Sequence, residues 1–325
     1  MRLQRLAPAF LMGVFAACGG GDGGNGGGGN NPVKVLAKAA TSGDNQTGTV
    51  GVALANPFCV LATEDGAAKS GVAVTWSTPS GGSMSAVTTN TAADGTACST
   101  LTLGHVSGAQ TAVATASGST GSPLTFDATA NAGAATDLQK GGGDLQTGVI
   151  NTVLAEPVSV NAVDQFGNGV PNVAVDWAVT AGTASLLPVN GNTNGSGVSS
   201  STVTIGGTAG AIVITATSAS LNGSPQTFNL TASPPPIPVS VGSNFFTSGS
   251  NGTSNPAVDT VAAGGAVRWT WVSGSHGVES LGPQNFANSA IGVGLTYTVV
   301  FNTPGTYNYD CLVHGNLMTG TIVVQ

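Results

Sequence analysis

Toward the C-terminal end, a cysteine, a histidine and a methionine share one short run, Cys311-x-x-His314-x-x-x-Met318, and a further histidine, His276, stands upstream of it. A thiolate, two imidazoles and a thioether are soft to borderline donors, the set that holds copper in a trigonal plane with a weak axial ligand. The thiolate stabilises Cu(I), and the imidazoles serve both oxidation states. A geometry that neither ion fully prefers keeps reorganisation small, which favours fast one-electron transfer. The chain has three His and four Met, yet two of the former and one of the latter fall in this region beside its lone Cys. The alternatives are that these residues are scattered members of an all-β core, or that the site has lost its metal. Three His cannot supply a trinuclear copper cluster, and one Cys cannot supply a dinuclear thiolate-bridged centre. No Ser-His-Asp order, carboxylate pair or phosphate-binding loop appears elsewhere, so enzymatic turnover is not expected.

The donors need a scaffold, and the surrounding alternation of apolar and polar residues predicts strands over 239–241, 259–261, 266–272, 295–301, 305–311 and 320–324. His276 then lies just past the strand that carries Trp269 and Trp271, and Cys311 ends a strand. His314 and Met318 are expected on the loop before the last strand. Trp269, Trp271, Phe301 and Tyr309 read as core packing, with a place on an electron path as the alternative for an aromatic near the site. The run Tyr307-x-Tyr309-x-Cys311-x-x-His314-Gly315-x-x-Met318-x-Gly320-x-Ile322-x-Val324 resembles the plastocyanin and pseudoazurin type of cupredoxin, over residues 237–325. That resemblance implies a Greek-key β-barrel holding one type 1 (blue) copper on His276, Cys311, His314 and, axially, Met318. It also implies that electrons enter and leave at the His314 edge. Three residues separate His314 from Met318, an intermediate spacing among such loops. Gly277 departs from the pattern, since many relatives carry Asn there to brace the Cys loop.

Composition places the rest of the chain in the same structural class. Only 6% of the residues are charged while Gly alone contributes 50 of 325. Thr and Val suit pleated strands and Gly, Asn and Ser suit turns, whereas the usual fillers of surface helices are scarce. The length suits two or three domains. A net charge of −7, with seven Lys and Arg in all, cannot build a basic face, so no nucleic acid partner is expected.

Residues 35–132 and 133–232 are two copies of one unit. Gly43-Asp44-Asn45-Gln46-Thr47-Gly48 matches Gly143-Asp144-Leu145-Gln146-Thr147-Gly148, and Val72-Ala73-Val74-Thr75-Trp76 matches Val173-Ala174-Val175-Asp176-Trp177. Many short strands around a central Trp describe an Ig-like β-sandwich. The stretch from Asp164 to Trp177 resembles the bacterial Ig-like repeats of invasin and intimin adhesins, which implies a spacer role, with adhesion as the alternative. Cys59 and Cys98 occur only in the first copy, and Ser159 and Ser200 stand at the aligned positions. Their joint replacement and their outward parity point to a cross-strand disulfide, the alternatives being two free thiols or a metal pair. His105, in a predicted turn, reads as a solvated loop residue.

The first eighteen residues have the form of an export signal: Arg2 and Arg5, an apolar run over 6–17 too short to span a bilayer, and Cys18. Val14-Phe15-Ala16-Ala17-Cys18 resembles a bacterial lipobox, which implies a lipid on Cys18; the alternative is an ordinary signal cut after Ala16 or Ala17. Residues 19–34 read as a Gly-rich tether of about 20 Å root-mean-square length. Residues 233–238 read as a Pro-rich linker before the last unit, 239–325. The expected fold is all-β: two tandem Ig-like β-sandwiches followed by a cupredoxin Greek-key β-barrel. The expected protein is an exported monomer, lipid-anchored in the bacterial cell envelope, at the outer membrane, cell surface or periplasm. It would pass single electrons to a redox protein partner. Copper delivery, or adhesion with an accessory copper domain, are the alternatives.

Overall fold

The computed structural model describes residues 31–325; the expected signal segment, Cys18 and most of the Gly-rich tether lie outside the described residues. All regular elements among the described residues are strands, arranged in three units. No helix there is long and apolar enough to cross a membrane. The first unit faces a sheet of Lys34–Lys38, Phe58–Glu64, Ala67–Ala68 and Thr96–Ser99 against one of Gln46–Thr49, Leu124–Asn131, Gly108–Thr115, Ala73–Ser77 and Thr88–Asn90. Strict alternation drives this: Phe126, Ala128 and Ala130 turn inward from one strand while Thr125, Asp127 and Thr129 face out. Small inward residues leave room for Trp76, whose ring lies 5.8 Å from Phe126. The second unit repeats the packing, with Trp177 also 5.8 Å from Phe228. Both are Ig-like sandwiches.

The duplicated Gly-Asp-x-Gln-Thr-Gly segments do the same work in each copy. Asp44 pairs with Lys38 and accepts the Asp127 amide at 2.8 Å, and Asp144 pairs with Lys140 and accepts the Asn229 amide at 2.7 Å. Gln46 and Gln146 bridge to the backbone of Asn56 and Glu156 through both amide atoms. Cys59 and Cys98 face each other in register on neighbouring antiparallel strands and form a disulfide, with Cα atoms 4.2 Å apart. The Cys59 amide and carbonyl bond to Ser42 and Ala39 on its other side, so this is a non-hydrogen-bonded pair, the closer of the two antiparallel pairings. Ser159 and Ser200 form the same pair in the second copy.

The two sandwiches are fastened by the turn at residues 164–168. Buried Asp164 accepts the amides of Gly133, Phe166 and Asn168 at 2.8 to 2.9 Å, together with the Asn168 side-chain amide. Held in this way, Asn168 accepts the Ser107 amide and donates to the His105 carbonyl, each at 2.8 Å. The His105 ring lies flat on Phe166, centroids 4.0 Å apart. His105 is the exposed loop residue expected, and it also takes part in a joint between the sandwiches. Its partner lies sixty residues downstream in another domain, beyond the reach of local turn signals.

The third unit contains β1 (Ile237–Gly242), β2 (Phe245–Ser248), β3 (Ala257–Val261), β4 (Gly265–Trp271), β5 (Val278–Leu281), β6 (Thr296–Phe301), β7 (Gly305–Cys311) and β8 (Gly315–Val324). One sheet has the order β2-β1-β4-β6 and the other β3-β8-β7-β5. The chain crosses between sheets after β2, β3, β4, β5 and β6, giving a Greek-key barrel of two facing sheets. Fully buried Asp259 of β3 accepts the Ser248 and Ser250 hydroxyls at 2.6 and 2.7 Å, tying the two sheets at one edge. Strand signals missed β2 and β5, which are short and only partly buried. The expected linker is narrower than 233–238: Ser233 ends a strand, and Ile237 and Pro238 open β1, a position where the missing proline N–H is tolerated. The expected tether likewise ends early, since Lys34 begins a strand and the Val33 amide donates to Asp65.

Burial pushes the Asp164 carboxyl up, but the Asn168 side chain and the Gly133, Asn168 and Phe166 amides overcome this and hold it below the ordinary carboxylate range. A lowered folded-state pKa contributes stability that is present above the ordinary value and lost as pH falls through the lowered one. Asp164→Ala is expected to cost about 3 kcal/mol by leaving buried amides unpaired. Chemical denaturation from pH 7 down to pH 3 should show wild type converging on the variant at the acid end.

Candidate metal centre

At one end of the barrel, His276, Cys311 and His314 present ligand atoms that all lie within 4.8 Å of one another. The Nδ1 atoms of His276 and His314 are 3.2 Å apart, and Cys311 Sγ lies 3.6 Å from the first and 3.4 Å from the second. The centre of such a triangle is about 2 Å from each corner, the length of a metal–nitrogen bond. Cys311 and His276 are buried and His314 is half-buried. The donor set is the two-imidazole, one-thiolate plane that suits copper. Among the described residues no other group of three or more His, Cys, Asp or Glu converges in this way.

His276 sits between β4 and β5, and its amide and carbonyl both pair with Gly292, each bond at 3.0 Å. Its carbonyl also accepts the Trp271 indole N–H at 2.8 Å, so Trp271 does more than pack. Gly274 has φ +74°, and a Cβ there would stand 2.6 Å from His276 Nε2, a buried atom with no hydrogen-bond partner. The ligand ring is thus seated against bare backbone. Gly277 is equally constrained: a Cβ would meet Leu312 Cδ1 at 2.8 Å and Ile291 Cγ1 at 3.1 Å. Apolar side chains occupy the space an Asn brace would need, and one backbone bond, Leu312 N–H to the Gly277 carbonyl at 3.1 Å, links the two ligand segments. The roles of Gly274, Gly292 and Trp271 escaped sequence reasoning, because none carries a metal-ligating atom and their roles depend on a local geometry that no periodicity encodes.

Cys311 pairs with Val278 across the sheet and with Gly315 along the chain. The β7–β8 register shifts between Asp310 and Cys311, which lets pairing begin again at Gly315, with φ +53°. The last strand therefore starts five residues earlier than its alternation indicates. Only 312–314 form the turn, and Met318 lies on β8 rather than on a loop. Met318 is fully buried in the same apolar cluster as Cys311. Burial lowers the His276 pKa, and the neighbouring His314 lowers it further. The neutral imidazole is the form a metal ion needs. Burial pushes the Asp310 carboxyl up, and Glu279, opposite it on β5, adds to that.

No protein-family model matches the chain, and no curated protein matches its sequence. Among solved structures, the D0-D1 domain of intimin is 19% identical over 62% of this chain and 96% of its own, with a TM-score of 0.25. A purple cupredoxin from Nitrosopumilus maritimus is 21% identical over 27% of this chain and 99% of its own, at a TM-score of 0.23. The FdeC adhesin of Escherichia coli is 13% identical over 90% of this chain and 96% of its own, at 0.37. Likeness at this level is remote, and the fold rests on the sheet registers described above.

Gly274→Ala puts a side chain at a left-handed φ and against the His276 ring, so it should weaken copper binding at least about tenfold, in line with the cost of such strain. Competition against a chromophoric Cu(I) chelator measures this, with circular dichroism confirming that the sheets persist.

Proposed function

We propose that the C-terminal barrel is a one-copper electron carrier of an exported protein, and that the two sandwiches are spacers. The observation that carries this is the triangle of His276 Nδ1, His314 Nδ1 and Cys311 Sγ, with sides of 3.2, 3.4 and 3.6 Å. His276, Cys311 and His314 would hold the ion, and Met318, buried in the same apolar cluster as Cys311, is the proposed fourth donor. When bound, copper supplies a one-electron couple between Cu(I) and Cu(II). The protein holds donors of both hardnesses nearly fixed, which keeps nuclear rearrangement small, and it excludes water by burying Cys311 and His276.

His314 is the donor nearest solvent, and near it stand Val313 of the same turn and Leu317 of β8, 48% and 69% exposed. An uncharged, apolar rim at the edge of a donor ring favours brief contact with a redox protein. The sandwiches contribute no converging donors and are joined at Asp164 and Asn168 into a stiff pair, as a spacer requires. The resemblance of the first eighteen residues to a lipoprotein signal supports an envelope location, with Cys18 as the proposed lipid site. No catalytic turnover is proposed.

The copper-loaded, oxidised protein should show an intense visible thiolate-to-copper band that Cys311→Ala abolishes, and voltammetry should give a fast, reversible one-electron wave. Tight Cu(I) binding with a sluggish or irreversible wave would favour copper delivery instead. If deleting residues 237–325 leaves attachment of cells to surfaces intact while the full chain supports it, the chain is an adhesin with an accessory copper domain.

A further inference from the structure

The two tryptophans of β4 have opposite polar fates. Trp269 is fully buried against Tyr309, with ring centroids 5.2 Å apart, and its Nε1 has no hydrogen-bond partner by distance and angle. Trp271, two residues on and likewise buried, donates its Nε1–H to the His276 carbonyl at 2.8 Å. That carbonyl also accepts the Gly292 amide at 3.0 Å, so both of its lone pairs are used. The main chain of Trp271 is itself held: its amide donates to Leu295, and the next amide, of Val272, donates to Val241 on β1. The indole therefore reaches from a fixed strand to a ligand-bearing peptide that belongs to no sheet ladder.

Among the described residues, no other polar side chain bonds to the backbone of His276. Position 277 is a glycine whose side-chain space is filled by Leu312 and Ile291, so no side chain there can tie the His276 segment to the Cys311 loop. Gly292, the remaining partner of His276, lies in an irregular segment between exposed Ile291 and Val293 and is anchored less firmly than β4. From this geometry we infer that Trp271 is the positioning residue of the metal centre: its indole N–H fixes the His276 peptide, and so the His276 Nδ1 corner of the donor triangle.

This inference rests on the copper reading of the site, and the experiment separates the two. Trp271→Phe removes the N–H and keeps most of the ring; Trp269→Phe makes the same change on an indole that is buried against Tyr309 and makes no hydrogen bond to the His276 backbone. In the metal-free protein, hydrogen exchange read by nuclear magnetic resonance should show the His276 and Gly292 amides of Trp271→Phe exchanging about tenfold faster or more, the cost of one buried hydrogen bond. The amides of β7 should keep their wild-type rates. Trp269→Phe should lower global stability without singling out those two amides. In the copper-loaded protein, Trp271→Phe should weaken Cu(I) binding about tenfold and shift the midpoint potential and the Cu(II) resonance spectrum. Trp269→Phe should leave the resonance spectrum as in wild type. Unchanged exchange at His276 and Gly292 in Trp271→Phe, or the same local loosening in Trp269→Phe, overturns the role of Trp271. Failure of the wild-type protein to bind copper overturns the copper reading alone, because the metal-free measurement stands without it.

Discussion

Everything in the C-terminal barrel depends on holding three lone-pair donors within 3.6 Å of one another in a setting that offers them little else to bond. Two imidazoles and a cysteine sulfur at this separation gain little from each other, and His276 Nε2 is buried without a hydrogen-bond partner. Burying unpaired polar atoms costs free energy. The arrangement persists because the sheets dictate it: Cys311 is locked by pairing on both sides of β7, and His276 is pinned at its backbone rather than at its ring. The fold thus carries the cost of bringing the three donors together, and on the proposed copper reading a bound ion would offset it. Such a device would fix coordination geometry from outside the metal.

That division of labour extends along the chain. The sandwiches hold their shape by core packing around Trp76 and Trp177 and by repeated loop anchors at Asp44 and Asp144. One copy adds a disulfide where the other has a pair of serines. They are joined by a buried carboxylate whose hydrogen bonds preset Asn168 to grip the neighbouring domain. Between the second sandwich and the barrel, three consecutive prolines, Pro234 to Pro236, separate the strands, and no such hydrogen-bonded clamp is found there among the described residues. The joint between the sandwiches is made of specific side chains. The joint to the barrel is made of chain stiffness.

Much of this was legible in the sequence because it is carried by residue type and simple periods. The proposed donors Cys311, His314, Met318 and His276 show because those types are rare in this chain. The disulfide shows because aligned copies expose Cys59 and Cys98 as a joint departure, and register then brings them together. What escaped is carried by breaks in period and by long-range backbone contacts. The bulge at Asp310 and Cys311 restarts pairing at Gly315, so the alternation that begins at Gly320 marks only part of the last strand. Short, half-exposed β5 has too few buried residues to declare itself. The meeting of His105 with Phe166 and that of the Trp271 indole with the His276 carbonyl are set by tertiary packing, which neighbouring residues do not encode.

X-ray absorption at the copper edge of the loaded protein tests the central claim most directly, because it reads the identity of the donor atoms. The account predicts one copper per chain with one short bond to sulfur and two bonds to nitrogen. Coordination by nitrogen and oxygen alone, or more than one copper per chain at full occupancy, would contradict it.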